Sequence, residues 1–370
     1  MNWSAEDLVY MQRALTQAAR GQYYAPPNPS VGCVLVRDGE VVGEGHSQPA
    51  GQAHAEIMAL RMAGERAAGA TAYVTLEPCS HHGRTPPCAD ALVNAGVTRV
   101  VAALRDPNPL VAGQGLARLR AAGVDVAHGL LAKEAAEHHR GFLSRMIRQR
   151  PWLRLKVATS LDGRTALQNG QSQWITGPQA RADVQRLRAR SSAMLTGIGT
   201  VLADDAQLTS RDIDIGRPLL RVVVDSRLRM PPTARMLQSP GVLIATAYAE
   251  ESRASALVNA GAEVLVCADA AGQVDMGALL HELGRRGCNE VTTEAGASLN
   301  GALLRAGLVD ELVLYQAPVL IGDSARGTAW LELDDLANKH APVVKERRMV
   351  GDDLRWDLRF TDSALFVTQE

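Results

Sequence analysis

The sequence has no surplus of either charge: 39 Lys and Arg stand against 40 Asp and Glu, a net charge of −1 over 370 residues. The broad basic footprint of a nucleic-acid binder is missing, so no nucleic-acid partner is expected. No apolar run approaches the roughly 18 residues that cross a bilayer, so no membrane span is expected. The opening residues, Met1-Asn2-Trp3-Ser4-Ala5-Glu6-Asp7, hold neither a basic stretch nor an apolar one, and no secretory signal is expected. Cysteine is scarce, five in the whole chain, too few for a disulfide framework. A reducing, cytoplasmic setting is the simplest expectation, and there a cluster of cysteines points to a metal. Internal repeats and low-complexity tracts are absent. Hydrophobic residues at 46% and charged residues at 21% exclude wholesale disorder. The length predicts two domains, or three.

Residues 4–20 read as a helix, with Ser4 as N-cap, Asp7 three positions on, and Leu8, Met11, Leu15 and Ala18 at helical spacing. After the turn Ala25-Pro26-Pro27-Asn28-Pro29, residues 31–37 and 40–43 flank Asp38-Gly39, a hairpin signal. A helix over 54–63, a strand over 72–75, a helix over 89–95 ending at Gly96 and a strand over 97–104 follow. This β-β-α-β-α-β order predicts an α/β domain. The basic segment 145–151 reads as a break. Strands are then expected at 153–158, 219–225, 242–246, 263–267, 291–293 and 311–318, with helices at 177–189 and 298–306. The expected domains are residues 1–149 and 150–370.

His54-Ala55-Glu56, followed by Pro78-Cys79 and Cys88, carries a chemistry. H-x-E…P-C-x-x-C is the signature of zinc deaminases. One imidazole and two thiolates hold Zn²⁺ and leave its fourth position for water. The metal lowers the pKa of that water, and a carboxylate that is not a ligand moves the proton to the leaving amine. His54, Cys79 and Cys88 are the candidate ligands and Glu56 the candidate proton carrier. Residues two apart do not share a helix face, so the metal must sit at the start of the helix. Eight residues separate the cysteines instead of two. Cys79 and Cys88 with His81 or His82 could alternatively form a closed structural zinc site, but that leaves His-Ala-Glu and Pro-Cys unexplained. His81 and His82 are either substrate contacts or plain loop residues, and Arg84 either binds a phosphate or is solvated. Cys33, Cys267 and Cys288 read as small buried hydrophobes.

The run Pro78-Cys79-Ser80-His81-His82-Gly83-Arg84-Thr85-Pro86-Pro87-Cys88 resembles the deaminase domain of the bifunctional riboflavin biosynthesis deaminase–reductases. Pro27-Asn28-Pro29-Ser30-Val31-Gly32 and Gly43-Glu44-Gly45-His46 resemble that family's substrate-side motifs and bring in Asn28 and His46. In the second half, Thr196-Gly197-Ile198-Gly199 and Glu294-Ala295-Gly296-Ala297-Ser298-Leu299-Asn300-Gly301 could be plain turns or phosphate-binding backbone. Four flanking stretches resemble the family's reductase domain: 155–166, 172–177, 199–205 and 208–211. The resemblance covers nearly the whole chain. It implies a cytidine-deaminase-like three-layer domain joined to a dihydrofolate-reductase-like domain, with Zn²⁺ and NADPH as cofactors.

By position, the resemblance makes Ala158, Trp174, Thr200, Asp204, Ser226 and Gly296, Ala297, Ser298, Leu299, Asn300, Gly301 and Ala302 cofactor contacts. It makes Lys156, Ser172, Arg188, Leu208, Arg211 and Glu294 substrate contacts, with Lys156 and Glu294 handling protons or holding the sugar. Trp174 is equally a core residue, and Arg188 and Arg211 are equally solvated charges unless they bind a sugar phosphate. The implied activity is deamination of 2,5-diamino-6-ribosylamino-4(3H)-pyrimidinone 5′-phosphate, then reduction of its ribosyl group by a homo-oligomer. The rivals are a deaminase for another base, a zinc-stabilised binding module, and a chain in which one domain is inactive. A binding module has no use for a non-ligand Glu beside a ligand His.

Overall fold

A computed structural model of the chain describes residues 3–80, 87–109 and 111–367. It divides into two units, Met1–Gln149 with Ser363–Glu370, and Arg150–Asp362. The segment from Ser363, expected with the second domain, thus belongs to the first.

The first unit opens with α1 (Ala5–Arg20), closed by a capping box in which the Ser4 hydroxyl accepts from the Asp7 N–H and the Asp7 carboxylate from the Ser4 N–H. Its buried stripe is Met11, Ala14, Leu15 and Ala18. Leu8, expected in that stripe, is 42% exposed, and the buried residue of that turn is Asp7, paired with Tyr73 and Arg99. There follow β1 (Gly32–Arg37), β2 (Glu40–His46), α2 (Ala55–Ala63), β3 (Thr71–Val74), α3 (Cys88–Asn94), β4 (Arg99–Ala102), α4 (Gln114–Ala121), β5 (Asp125–His128) and α5 (Ala132–Arg148). The sheet order is β2-β1-β3-β4-β5, with β1 antiparallel to both neighbours and β3, β4 and β5 parallel.

Glycine sets the layers. A Cβ on Gly32 would lie 1.9 Å from the Ala14 carbonyl of α1, and one on Gly43 or Gly45 would strike the Ala59 or Ala55 carbonyl of α2. Gly43 and Gly45 pair with Leu35 and Cys33, whose faces alternate with that of Gly32. Helices α1 and α2 therefore cover opposite faces, which makes three layers, and α2 is seated close enough to carry its first turn to the edge of the sheet.

The basic segment 145–151 is not all a break. Helix α5 runs on to Arg148, where Arg145 and Arg148 suit the negative end of the helix dipole.

The second unit holds β6 (Trp152–Thr159), β7 (Arg164–Ala166), α6 (Pro178–Arg190), β8 (Ala193–Gly197), α7 (Ile198–Asp204), β9 (Leu220–Val224), β10 (Val242–Thr246), α8 (Glu251–Asn259), β11 (Ala262–Val266), α9 (Met276–Arg285), β12 (Glu290–Glu294), α10 (Ala297–Arg305), β13 (Glu311–Gln316), β14 (Arg326–Gly327), β15 (Val343–Val350) and β16 (Asp353–Arg359). Its nine-stranded sheet has the order β11-β10-β9-β8-β12-β6-β13-β16-β15. Strands β11 to β13 are parallel, and β16 and β15 close the sheet antiparallel. Leu153, Leu155, Leu195, Val222, Leu243 and Val291 pack with Leu279, Leu280 and Leu283 of α9 as the core. Cys33 and Cys288 are buried as expected, while Cys267 is only half-buried. No helix among the described residues is long and apolar enough to cross a membrane.

Candidate functional site

His54 is the N-cap of α2 rather than its first helical residue, with φ −75° and ψ 164°. That extended backbone frees the imidazole from the helix face. Its Nδ1 lies 3.6 Å from Cys79 Sγ and 3.3 Å from Cys88 Sγ, and all three ligand atoms fall within 4.8 Å of one another. Cys88 opens α3, and its backbone N–H donates to Cys79 Sγ at 3.3 Å. Three donors of types N, S and S with room for a fourth suit a catalytic zinc. The closed alternative needs His81 or His82, which with Arg84 lie outside the described residues.

The side-chain contact from Cys88, with His54 beside it, brings the Cys79 thiol down to about 4, while the same contact and burial push Cys88 up. Without metal the two sulfurs thus hold one proton, which zinc would displace. Glu56, the second residue of α2, is 3% exposed. Burial foremost, and then the Cys79 thiolate, raises its carboxyl to about 7.

These residues open on a cleft of about 520 Å³. Asn28 lines it. His46 is not among the lining residues: its Nε2 pairs with the Tyr24 hydroxyl at 2.6 Å, while its carbonyl accepts from Gln48, which does line the cleft. Four residues passed over in the sequence also line the cleft: Glu77, Asp106, Asn108 and Arg145. The string Asp106-Pro107-Asn108-Pro109 after a strand was a usable turn signal. Glu77 had none, since its role lies in backbone donors distant in sequence. One of its carboxylate oxygens accepts from the N–H groups of Gly115 and Leu116, the other from those of Asp106 and Gly113, at 2.9 to 3.2 Å. Glu77 thereby caps α4 and fixes the segment that brings Asp106 and Asn108 to the cleft. Burial raises the Asp106 carboxyl to about 7.

In the second unit Glu294 ends β12, Lys156 lies on neighbouring β6, and Arg188 comes from α6. The Arg188 guanidinium grips Glu294 in a bidentate pair at 2.7 and 2.9 Å, and Lys156 Nζ lies 3.8 Å from the same carboxylate. Burial alone would raise the Glu294 carboxyl, but Arg188 and Lys156 hold it at about 2. Burial lowers the Lys156 ammonium. Arg188 is thus ion-paired with Glu294, and Arg211, exposed, adds a further positive charge toward the same carboxylate. Ser172 is half-buried. The Leu208 side chain is buried at a φ of 52°, which leaves mainly its backbone to offer.

The expected cofactor positions follow the carboxyl ends of parallel strands: Ala158 on β6, Thr200 after β8, Ser226 after β9, and Gly296 and Ser298 after β12. That is where α/β sheets bind ligands. Gly199 and Gly296 face open space, and α10 has no side-chain cap among the described residues, so its first N–H groups suit a phosphate. These features fit a dinucleotide. The stretch 296–302 does not all face outward. Ala297, Leu299, Asn300 and Gly301 are buried, Asn300 donates to the Ala295 and Thr328 carbonyls, and Gly301 lies against Trp330 backbone. Gly296 and Ser298 are exposed and Ala302 half-buried. Trp174 is 68% exposed under the Arg181 guanidinium, so it is no core residue. Asp204, the last residue of α7, is exposed, and Ser226 donates to Gln273.

Residues 4–104 match the zinc-binding region of cytidine and deoxycytidylate deaminases, and residues 151–343 match the RibD C-terminal domain. Fold and sites thus define a bifunctional enzyme, a zinc-dependent deaminase of the cytidine deaminase class joined to an NADPH-dependent reductase of dihydrofolate-reductase-like fold. The riboflavin biosynthesis protein RibD of Escherichia coli is 51% identical over 362 residues, which cover 94% of this chain and 98% of that protein. The structure of Acinetobacter baumannii RibD superposes with a TM-score of 0.88 at 45% identity, covering 96% of this chain and 98% of that one. A diaminohydroxyphosphoribosylaminopyrimidine deaminase/5-amino-6-(5-phosphoribosylamino)uracil reductase from Thermotoga maritima superposes with a TM-score of 0.85 at 30% identity, over the same shares. The chain belongs to the RibD family, whose members deaminate and then reduce in riboflavin biosynthesis.

Proposed function

We propose that the first unit deaminates 2,5-diamino-6-ribosylamino-4(3H)-pyrimidinone 5′-phosphate and that the second reduces the product to 5-amino-6-ribitylamino-uracil 5′-phosphate. The observation that carries this reading is the meeting of His54, Cys79 and Cys88 within 4.8 Å, with Glu56 in the same cleft. The substrate class comes from the activity named for the Thermotoga maritima relative. No observation favours a deaminase for another base.

His54, Cys79 and Cys88 would hold Zn²⁺, which when bound would supply the Lewis acidity that makes a water nucleophilic near neutral pH. Glu56 takes a proton from that water as its oxygen bonds to C2 of the ring. The C2–N bond then breaks, and Glu56 returns the proton to the departing ammonia. Glu56 is buried in the same cleft as His54 and Cys79, which places its carboxyl for both transfers. Asn28, Asp106 and Asn108 hold the pyrimidine.

In the second unit NADPH, when bound, would supply the hydride that the ribosyl carbon C1′ needs once the sugar is opened to its imine-like form. Lys156 gives the proton that opening requires at the sugar ring oxygen, and Glu294, held by Arg188, orients it. Arg211 binds the 5′-phosphate, since guanidinium meets phosphate bidentately. Backbone around Gly296 and Ser298 carries the cofactor phosphates, with Ala158, Thr200 and Ser226 beside it.

The protein works in the cytoplasm as a homo-oligomer. Edge strand β15 supports association, because Val343, Val344 and Met349 on it are 64%, 51% and 60% exposed.

The test is Glu56→Gln, with zinc content and ammonia release measured separately. Zinc stays while turnover falls by about 10²–10⁴. Loss of zinc together with turnover contradicts the assigned role.

A further inference from the structure

The chain returns to the deaminase unit after completing the reductase unit. Residues Ser363–Phe366 pack on α5, with Ser363 and Phe366 buried at 3% and 8% exposure. The Ser363 hydroxyl donates to Glu137 at 2.7 Å, and the Arg148 guanidinium lies over the Phe366 ring at 5.1 Å. Arg148 also donates to the Ser144 hydroxyl at 2.6 Å. Glu137, Ser144 and Arg148 are seven and four residues apart, so they form one stripe of the helix.

The adjoining stripe of α5 builds the cleft. Phe142, Arg145 and Met146 line it. Arg145 donates to the Pro27 carbonyl at 3.0 Å, and His138 to the Ser30 carbonyl at 2.9 Å. The segment so held includes Pro27, Asn28 and Pro29, all lining the same cleft.

We propose that the segment Ser363–Phe366 is a positioning clasp for the deaminase: by fixing α5 it sets the wall that receives the substrate. The deaminase cleft is then completed only by chain that follows the reductase. This assignment rests on the cleft being the deaminase's substrate site. The physical link is a run of direct contacts, from Phe366 and Ser363 through α5 to Asn28.

The test uses the full chain carrying Phe366→Ala, Phe366→Leu as the conservative variant, and a truncation after Asp362. Deaminase KM, deaminase kcat, zinc content and reductase activity on its own substrate are read separately. Phe366→Ala raises the deaminase KM roughly tenfold, the order expected for a small displacement of a positioning element. Its zinc and reductase activity stay at the parent values, and Phe366→Leu recovers most of the KM. The truncation does at least as much to the deaminase. An unchanged deaminase KM in Phe366→Ala overturns the proposal, as does an equal loss in both activities. If Glu56→Gln still deaminates, the reading of the cleft itself fails, and that outcome is distinct from a silent Phe366→Ala.

Discussion

The first unit gathers groups whose protons are loosely held: two thiols with one proton between them, and Glu56 and Asp106 both raised to about 7. The second gathers groups locked in their charged states, with Glu294 held at about 2 between Arg188 and Lys156. One site is prepared to pass protons through a metal-assisted hydrolysis. The other fixes a charged frame against which an organic cofactor delivers hydride. The difference lies in partners: burial raises a carboxyl with no strong cationic partner, as at Asp106, while two cations more than offset it at Glu294.

Removing zinc separates the two most strongly. Chelation should abolish ammonia release while leaving NADPH oxidation unchanged when the deaminated substrate is supplied directly. Parallel loss of both would break the comparison.

Next in size is Glu294→Gln, which leaves the Arg188 charge buried without its partner and should cost ~3 kcal/mol. The sign with pH also differs between units. Glu294 lies below its ordinary 4.5, so its contribution is present above pH 4.5 and is lost as pH falls through about 2. Asp106 lies above its ordinary 3.8, so its contribution is full below pH 3.8 and is lost as pH rises through about 7. Hydrogen exchange followed peptide by peptide should show the segment around Asp106 loosening as pH rises from about 4 to about 7, and Asp106→Asn should remove that slope.

An effect of the same order is expected from Glu77→Gln. An amide can face only one of the two N–H pairs with oxygen, so two donors are stranded at about 1–3 kcal/mol each if unrelieved. Calorimetry of the variant should show a lowered transition, and the deaminase KM should rise while reductase activity stays level.

The same contrast explains what the sequence revealed. Histidine, cysteine and glutamate at fixed short spacings are chemically uncommon, so His54, Glu56, Cys79 and Cys88 were legible without a fold. Strands rich in β-branched residues, such as β9 and β10, were legible by pattern. Glu77 was not, because its partners are backbone groups about thirty to forty residues away. Helix α5 was hidden by its basic end, and the return of Ser363 to the first unit leaves no local mark at all. The expected reductase contacts came only from resemblance. That resemblance could not show that Asn300 and Gly301 face inward, since helix periodicity turns part of any such stretch toward the core.

The most direct test is a coupled assay on metal-quantified protein supplied with the diaminopyrimidinone ribosyl phosphate, with and without NADPH. Ammonia should appear at the same rate in both, and NADPH oxidation should follow it and vanish in Glu56→Gln. NADPH oxidation that persists in Glu56→Gln on this starting substrate, or ammonia release that requires NADPH, would contradict two separate sites acting in that order.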